Sequence, residues 1–268
     1  LKEKHTMTRQ PSFFIPHGGG PCFFMPDPQG NWTSMAEFLR SLPERLPEPP
    51  KAILVVSGHW ETEGFAFTGA DRPDLLFDYY GFPQHTYELR FDAPGSPALA
   101  ARASQLLREA GFTAAPDPQR GYDHGVFVPL KVAWPEAEVP VVEMSLDRSL
   151  DPDLHRAAGQ ALAPLRDEGV LILGSGMSFH NMRGYGNPAS TEPSLAFDAW
   201  LTEAAEADAE ARAEALAHWA EAPGGRFSHP REEHLLPLMV VAGTAQGAGE
   251  KVYSDLVLKT AISAFRFD

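Results

Sequence analysis

Ten histidines stand in the chain, and five of them fall where a fold could gather them. Phe13–Pro21 reads F-F-I-P-H-G-G-G-P. An apolar run ends at Pro16 and His17 follows. Gly18, Gly19 and Gly20 then permit a sharp turn and the close approach of another group. Lys51–Ser57 (K-A-I-L-V-V-S) is a second apolar run, followed at once by Gly58-His59-Trp60-Glu61-Thr62. Gly169–Gly174 is a third, opening through Ser175-Gly176-Met177-Ser178-Phe179 into His180. His124 marks the tip of a glycine-bounded turn, Gly121-Tyr122-Asp123-His124-Gly125, and His234 stands beside Glu232 and Glu233 at the start of an apolar segment. In open α/β sheets, ligands bind outside the carboxyl ends of the strands. Imidazoles and carboxylates converging there, with Cys22 the single thiol, point to a divalent metal. Each residue also has a plainer reading: His59 as a core histidine, His124 as a solvated loop residue, His180 as the cap of a strand end.

Motif arithmetic narrows the chemistry. H-E-x-x-H is absent, so a metalloprotease of that kind is unsupported. G-x-G-x-x-G before a helix is absent too, and G-S-G-M-S at Gly174–Ser178 is not the nucleophile elbow G-x-S-x-G. Neutral imidazole suits zinc or iron, and two histidines with a carboxylate and open positions is the arrangement of non-heme Fe(II) oxygenases. A net charge of −14 argues against nucleic acid as a partner. With one cysteine no intramolecular disulfide can form, which fits a reducing cytosol. No apolar run approaches the ~20 residues of a membrane helix.

The elements that must position these residues alternate. Helices are expected at Asn31–Leu42, Pro97–Ala110, Asp151–Leu165, Pro193–Ala222 and Leu235–Ala245, from apolar recurrence at helical spacing. Strands are expected at the three apolar runs, at Phe65–Thr68, Tyr87–Phe91 and Val139–Ser145, and at Val252–Leu258 and Ala261–Arg266 near the end. The aromatic stretch Leu75–Phe82 is expected to cover a core edge, with a pocket roof as the alternative. The pattern predicts a single α/β domain over 11–268. It has a mixed, mostly parallel central sheet, helices on both faces and the site at the carboxyl ends of the strands. Residues 1–10 are read as an N-terminal extension, and those before Met7 are set aside from the fold.

At this point the motifs carry a resemblance. P-H-G-G-G-P, S-G-H-W-E-T, G-Y-D-H-G, G-S-G-M-S-F-H-N and E-H-L-L-P-L, in this order, resemble the class III extradiol ring-cleavage dioxygenases. F-P-Q-H-T-Y at Phe82–Tyr87 and A-P-G-S-P at Ala93–Pro97 resemble the single-chain 4,5-DOPA dioxygenase group within them. The resemblance implies an Fe(II) enzyme that opens a catechol with O₂ to a semialdehyde. It implies His17 and His59 as metal ligands. The third ligand falls in E-H-L-L-P-L: His234 by likeness to the group, Glu233 by likeness to the wider superfamily. His180 is implied as the catalytic acid–base and His124 as a second catalytic histidine that binds substrate or oxygen, with Tyr122 beside it as a substrate contact. Zn(II) is the alternative bound ion, and a zinc hydrolase or a metal-binding protein without activity are the alternative functions. The expected partners are a small aromatic diol and O₂, in the cytoplasm. The oligomeric state is left open.

Overall fold

The computed structural model describes residues 8–268, so the stretch before Met7 and Met7 itself lie outside it. Among the described residues eight strands form one sheet: β1 (Ser12–Pro16), β2 (Ala52–Thr62), β3 (Phe65–Thr68), β4 (Ala114–Asp117), β5 (Val141–Asp147), β6 (Val170–Gly176), β7 (Gly249–Val257) and β8 (Thr260–Phe267). Their order is β4-β3-β5-β2-β6-β1-β8-β7. The central run β5-β2-β6-β1 is parallel, and β8 and β7 close one edge antiparallel. Nine α-helices among the described residues surround it: α1 (Thr33–Ser41), α2 (Pro97–Glu109), α3 (His124–Ala133), α4 (Pro152–Leu162), α5 (Pro164–Asp167), α6 (Thr191–Glu206), α7 (Ala209–Ala217), α8 (Gly225–Ser228) and α9 (Leu236–Gly243). None is long and apolar enough to cross a membrane.

The strands are apolar on both faces because helices cover both. Along β1, Phe14 points into one core with Leu54, Val56 and Ile172, under α2, α4, α6 and α9. Its neighbours Phe13 and Ile15 point into the other, with Ile53, Val55 and Leu173, under α1 and α3. Side chains alternate across a strand, so a doubly covered strand reads as a continuous apolar run.

Several boundaries differ from the sequence reading. β2 continues through His59 to Thr62, while its register against β5 shifts between Val56 and Glu61. β6 likewise runs on to Gly176. His124 is no exposed turn tip: it is the buried first residue of α3. Tyr87–Phe91 is not a strand. Gln84–Tyr87 forms a 3₁₀ turn, and the alternation of Tyr87, Leu89 and Phe91 is that of an irregular segment packing on the core. β4 went unseen because Ala114–Asp117, A-A-P-D, has no β-branched or aromatic residue and carries a proline and an aspartate. Asp151–Leu165 ends at Leu162, where Pro164 begins a separate turn. Pro193–Ala222 divides at Asp208, which caps α7 by accepting from the Glu210 and Ala211 amides at 3.1 and 2.9 Å.

The backbone at the carboxyl edge of the sheet draws three segments together. The His17 amide donates to the Gly176 carbonyl at 3.1 Å, and the Met177 amide donates to the His234 carbonyl at 3.1 Å. β6 thus joins the turn after β1 to the segment before α9. Two glycines permit the approach: a Cβ at Gly176 would overlap the His234 carbonyl oxygen, and one at Gly58 would press on the Glu233 carbonyl oxygen. Both obstacles are backbone and cannot swing aside. Gly176→Ala is therefore expected to destabilise the fold by about 1–3 kcal/mol, the usual cost of overpacking. Exposed Gly247, where a Cβ would meet only the Asp268 carbonyl oxygen at 4.0 Å, serves as the control for an alanine substitution. Urea unfolding of the two variants checks this, and equal midpoints would show that the contact is not tight.

Candidate active site

His17, His59 and His234 meet ring to ring at the mouth of the parallel strands. His59 Nε2 lies 3.2 Å from His17 Nε2 and 3.3 Å from His234 Nε2. The His17 and His234 ring centres are 5.1 Å apart. His124 adjoins them, its ring centre 4.0 Å from that of His59. His180 lies flat on His234, 3.4 Å away and tilted by 7°. All five strand-end, turn and helix-start histidines of the sequence reading come together. Ligand atoms of His17, His59 and His124 all lie within 4.8 Å of one another, as do those of His180, Glu233 and His234.

Carboxylates stand behind the rings. Asp78 Oδ1 accepts from the His124 amide at 2.9 Å and contacts His124 Nδ1 at 2.7 Å. Glu233 Oε1 lies 3.2 Å from His234 Nδ1 and 3.5 Å from His180 Nδ1. Burial opposes ionisation of both acids. For Asp78 the hydrogen bonds and charge of His124 together outweigh it, and for Glu233 the bonds from His180 and His234 with the His234 charge do, so both carboxyls are held below their usual range.

The supports are local. Asp123 caps α3 by accepting from the Gly125 amide at 2.9 Å. The same carboxylate accepts from Ser57 Oγ at 2.9 Å and from Arg120 at 3.0 Å, and the Asp123 amide donates to buried Glu143 at 3.0 Å. α3 is thereby tied to β2 and β5, which sets His124 against His59. On the other side the His180 amide donates to the Ser228 carbonyl at 2.9 Å, and His229 Nε2 donates to the Ser178 carbonyl at 2.9 Å. These bonds hold the turn after β6. Asp78, Asp123 and His229 were not singled out from the sequence. Asp123 had a signal, since an Asp preceding a helical run is a cap residue. Asp78 had none, because its partner lies 46 positions away.

A chamber of about 410 Å³ opens over the histidines. His17, His59, His124 and His180 line its floor, and Trp32, Tyr79, Phe82, Met182, Tyr185 and Leu258 its walls. The aromatic stretch therefore does both things expected of it: Leu75 and Phe77 pack on the core, and Tyr79 and Phe82 face the chamber. Tyr122 does not reach it. Its side chain is fully buried and its hydroxyl donates to the Val141 carbonyl at 2.7 Å, so the expected substrate contact is a core residue here. A larger hollow of about 1490 Å³, around Asp151, Arg156 and Glu214, is shallow and distant from these histidines.

Burial, and then the neighbouring imidazoles, push His17 and His59 well below the ordinary histidine value. Burial lowers His234 to about 4, against the opposing pull of Glu233. The rings are thus neutral near pH 7, with lone pairs to offer. Nitrogens bound to one cation at ~2.0–2.1 Å, at octahedral to tetrahedral angles, lie ~2.9–3.4 Å apart. The 3.2 and 3.3 Å approaches fall inside that interval, so the donor set fits a divalent metal.

An α/β sheet that gathers neutral imidazoles at its strand ends, with carboxylates behind them, could hold a divalent metal there. Residues 11–265 match the family described as "Catalytic LigB subunit of aromatic ring-opening dioxygenase". The chain belongs to this family of extradiol aromatic ring-opening dioxygenases. It is 39% identical over 252 residues to the 4,5-DOPA dioxygenase extradiol of Beta vulgaris, covering 92% of this chain and 90% of that one. It is 37% identical over 269 residues to the dioxygenase tasH of Hapsidospora irregularis, covering 91% and 81%. Among solved structures, an uncharacterized protein of Escherichia coli K12, JW3007, superposes with a TM-score of 0.78 at 28% identity, covering 97% of this chain and all of that one.

The neutral rings make metal-free stability depend on pH. His17, His59, His155, His229 and His234 all have lowered values, with His229 pushed by burial to about 3. The unfolded chain takes up these protons near 6.5, the folded chain only at lower pH. Stability therefore falls as pH drops from about 6.5 toward 4. Glu143, raised by burial and by Asp123, and exposed His218, raised by Glu214, act in the opposite sense, but they are outnumbered. Urea midpoints of metal-free protein at pH 7, 6 and 5 should fall in that order. A flat series would mean the rings are already charged in the fold.

Proposed function

We propose that the protein is an Fe(II)-dependent extradiol dioxygenase that opens a catechol of the 4,5-DOPA kind with O₂ to a semialdehyde. His17, His59 and His234 hold the metal, and the catalytic domain spans 11–268. The observation that carries this reading is the approach of the three Nε2 atoms, 3.2 and 3.3 Å across His59. Bound Fe(II) would act as a Lewis acid favouring the ionised catechol and relay electron density from the ring to O₂. The other tasks fall to the chain. Aromatic walls at Trp32, Tyr79 and Phe82 suit a flat ring and exclude water from above the floor. His124 receives a substrate hydroxyl.

His180 takes a catechol proton and returns it later. Its ring stacks on His234, and its Nδ1 faces Glu233 at 3.5 Å. That placement sets it beside the ligand group without turning Nδ1 toward it. The Glu233 carboxylate stabilises the imidazolium formed on proton uptake. Glu233 itself is engaged behind His234 and with Arg231, which favours the histidine as third ligand. The lone Cys22 and the aromatic diol substrate suit a cytoplasmic enzyme.

Iron content and oxygen uptake, measured together after anaerobic purification, test the division of roles. Anaerobic Fe(II) protein mixed with a catechol should stay colourless, then take up oxygen and turn yellow on admission of air. His17→Ala and His59→Ala should lose the metal. His180→Ala should keep iron and catechol binding while kcat and kcat/KM fall together, by ~10²–10⁴. If His180→Ala purifies without metal, it is a ligand. If no catechol supports uptake by fully iron-loaded wild type, the dioxygenase reading fails. Zinc in an aerobic preparation does not count against iron, because zinc outranks Fe(II) in affinity for such sites.

A further inference from the structure

Asp78 lies in the irregular stretch between β3 and α2, which is tied to the turn before α3. The Leu76 amide donates to the Tyr122 carbonyl at 2.7 Å and the Tyr122 amide to the Asp74 carbonyl at 2.8 Å. This backbone clasp delivers Asp78 to the start of α3. There a single oxygen, Oδ1, receives the His124 amide at 2.9 Å and meets His124 Nδ1 at 2.7 Å. The second oxygen stands 4.0 Å from His59 Nδ1. Next in sequence, Tyr79 sets its ring edge-on to His124, 5.7 Å centre to centre.

We propose that Asp78 is a positioning residue that holds His124 in the Nδ1–H tautomer, leaving Nε2 as the acceptor for a substrate hydroxyl. A carboxylate can only accept hydrogen bonds, so the ring nitrogen 2.7 Å from it carries the proton. In the neutral imidazole the other nitrogen then bears the lone pair. The bond from the His124 amide fixes the same oxygen against the backbone, so the ring cannot rotate without losing its Nδ1 contact to a held acceptor. His124 lines the chamber, and its remaining nitrogen is the one free to meet substrate. The direction of the lone pair follows from geometry alone, and only the substrate's part rests on the proposed function.

Long-range ¹H–¹⁵N correlation spectra of metal-free protein read the tautomer directly, with His124→Gln to assign the ring. Wild type should show His124 as Nδ1–H. Asp78→Asn should keep that tautomer, because a carboxamide oxygen can accept the same two bonds. Asp78→Ala should lose it, giving a mixture or the Nε2–H form. In iron-loaded protein, kcat/KM on a catechol should then rank wild type, Asp78→Asn, Asp78→Ala, with the last down about 10–100-fold, as for other residues that orient an active-site ring. An Nε2–H ring in wild type overturns the proposal without any variant. So does Asp78→Ala that retains a single Nδ1–H form, or Asp78→Asn that loses the form as fully as Asp78→Ala. Wild type inactive on every catechol would instead overturn the dioxygenase reading, leaving the tautomer result intact.

Discussion

His59 Nε2 is held 3.2 and 3.3 Å from the Nε2 atoms of His17 and His234 on a buried floor. Facing lone pairs at that distance repel, and burial removes the water that would separate them. An Nε2–H of one neutral ring donating to the lone pair of the next can relieve such a contact. Charging a ring is opposed by burial, which drives the ring pKa values of His17 and His59 well down. A divalent cation would relieve both contacts at once. The floor could therefore hold an ion, and the surrounding contacts keep the rings facing one another.

Two kinds of contact do so. Backbone contacts bring the segments together: β6 bridges His17 and His234 through Gly176 and Met177, and Gly58 lets the 233–234 segment approach β2. Side-chain contacts then orient the rings. The Asp123 carboxylate joins Ser57, Arg120 and the Gly125 amide of α3, with Glu143 buried beneath it. Burial and the neighbouring Asp123 raise the Glu143 carboxyl, so this second acid avoids carrying a second buried charge. Arg120, which bonds Asp123, lies over the Trp60 ring at 4.8 Å. The cluster places one net interaction, the α3 cap, under the chamber without adding free charge to its floor.

How much of this was legible in the sequence depends on the range of the interaction. The buried strands announced themselves as apolar runs, because both faces of a covered strand demand apolar side chains. The small residues and histidines after them marked the carboxyl edge, so His17, His59 and His180 could be named before any fold was seen, and His234 from its place at the start of an apolar segment. Tyr87–Phe91 misled for a related reason: alternation shows that every second side chain is buried, and an irregular segment lying on a core satisfies that as well as a strand. His124 was read as the tip of a turn, yet it is the buried first residue of α3, since the depth of such a segment depends on what the helix packs against. Tyr122 shared its motif, yet its side chain turns to the core and bonds Val141. Asp78 was invisible, because nothing within its own loop shows which histidine it will meet.

The two carboxylate–imidazole contacts are not equivalent, and the difference bears on the third ligand. Asp78 directs one oxygen to a single residue, His124, through backbone and ring. Glu233 divides its carboxylate: one oxygen lies near both His180 and His234, and the other meets Arg231, which is also paired with Glu61. A carboxylate held from three sides is not free to swing onto the floor. Its negative charge acts from behind the His234 ring instead, making Nε2 a better donor while keeping the floor itself uncharged. With imidazoles alone at the floor, an Fe(II) ion would keep its full positive charge there. On the proposed function, that charge would draw an ionised diol into a chamber whose walls are otherwise apolar, and the displaced proton would fall to His180, whose ring stacks on His234.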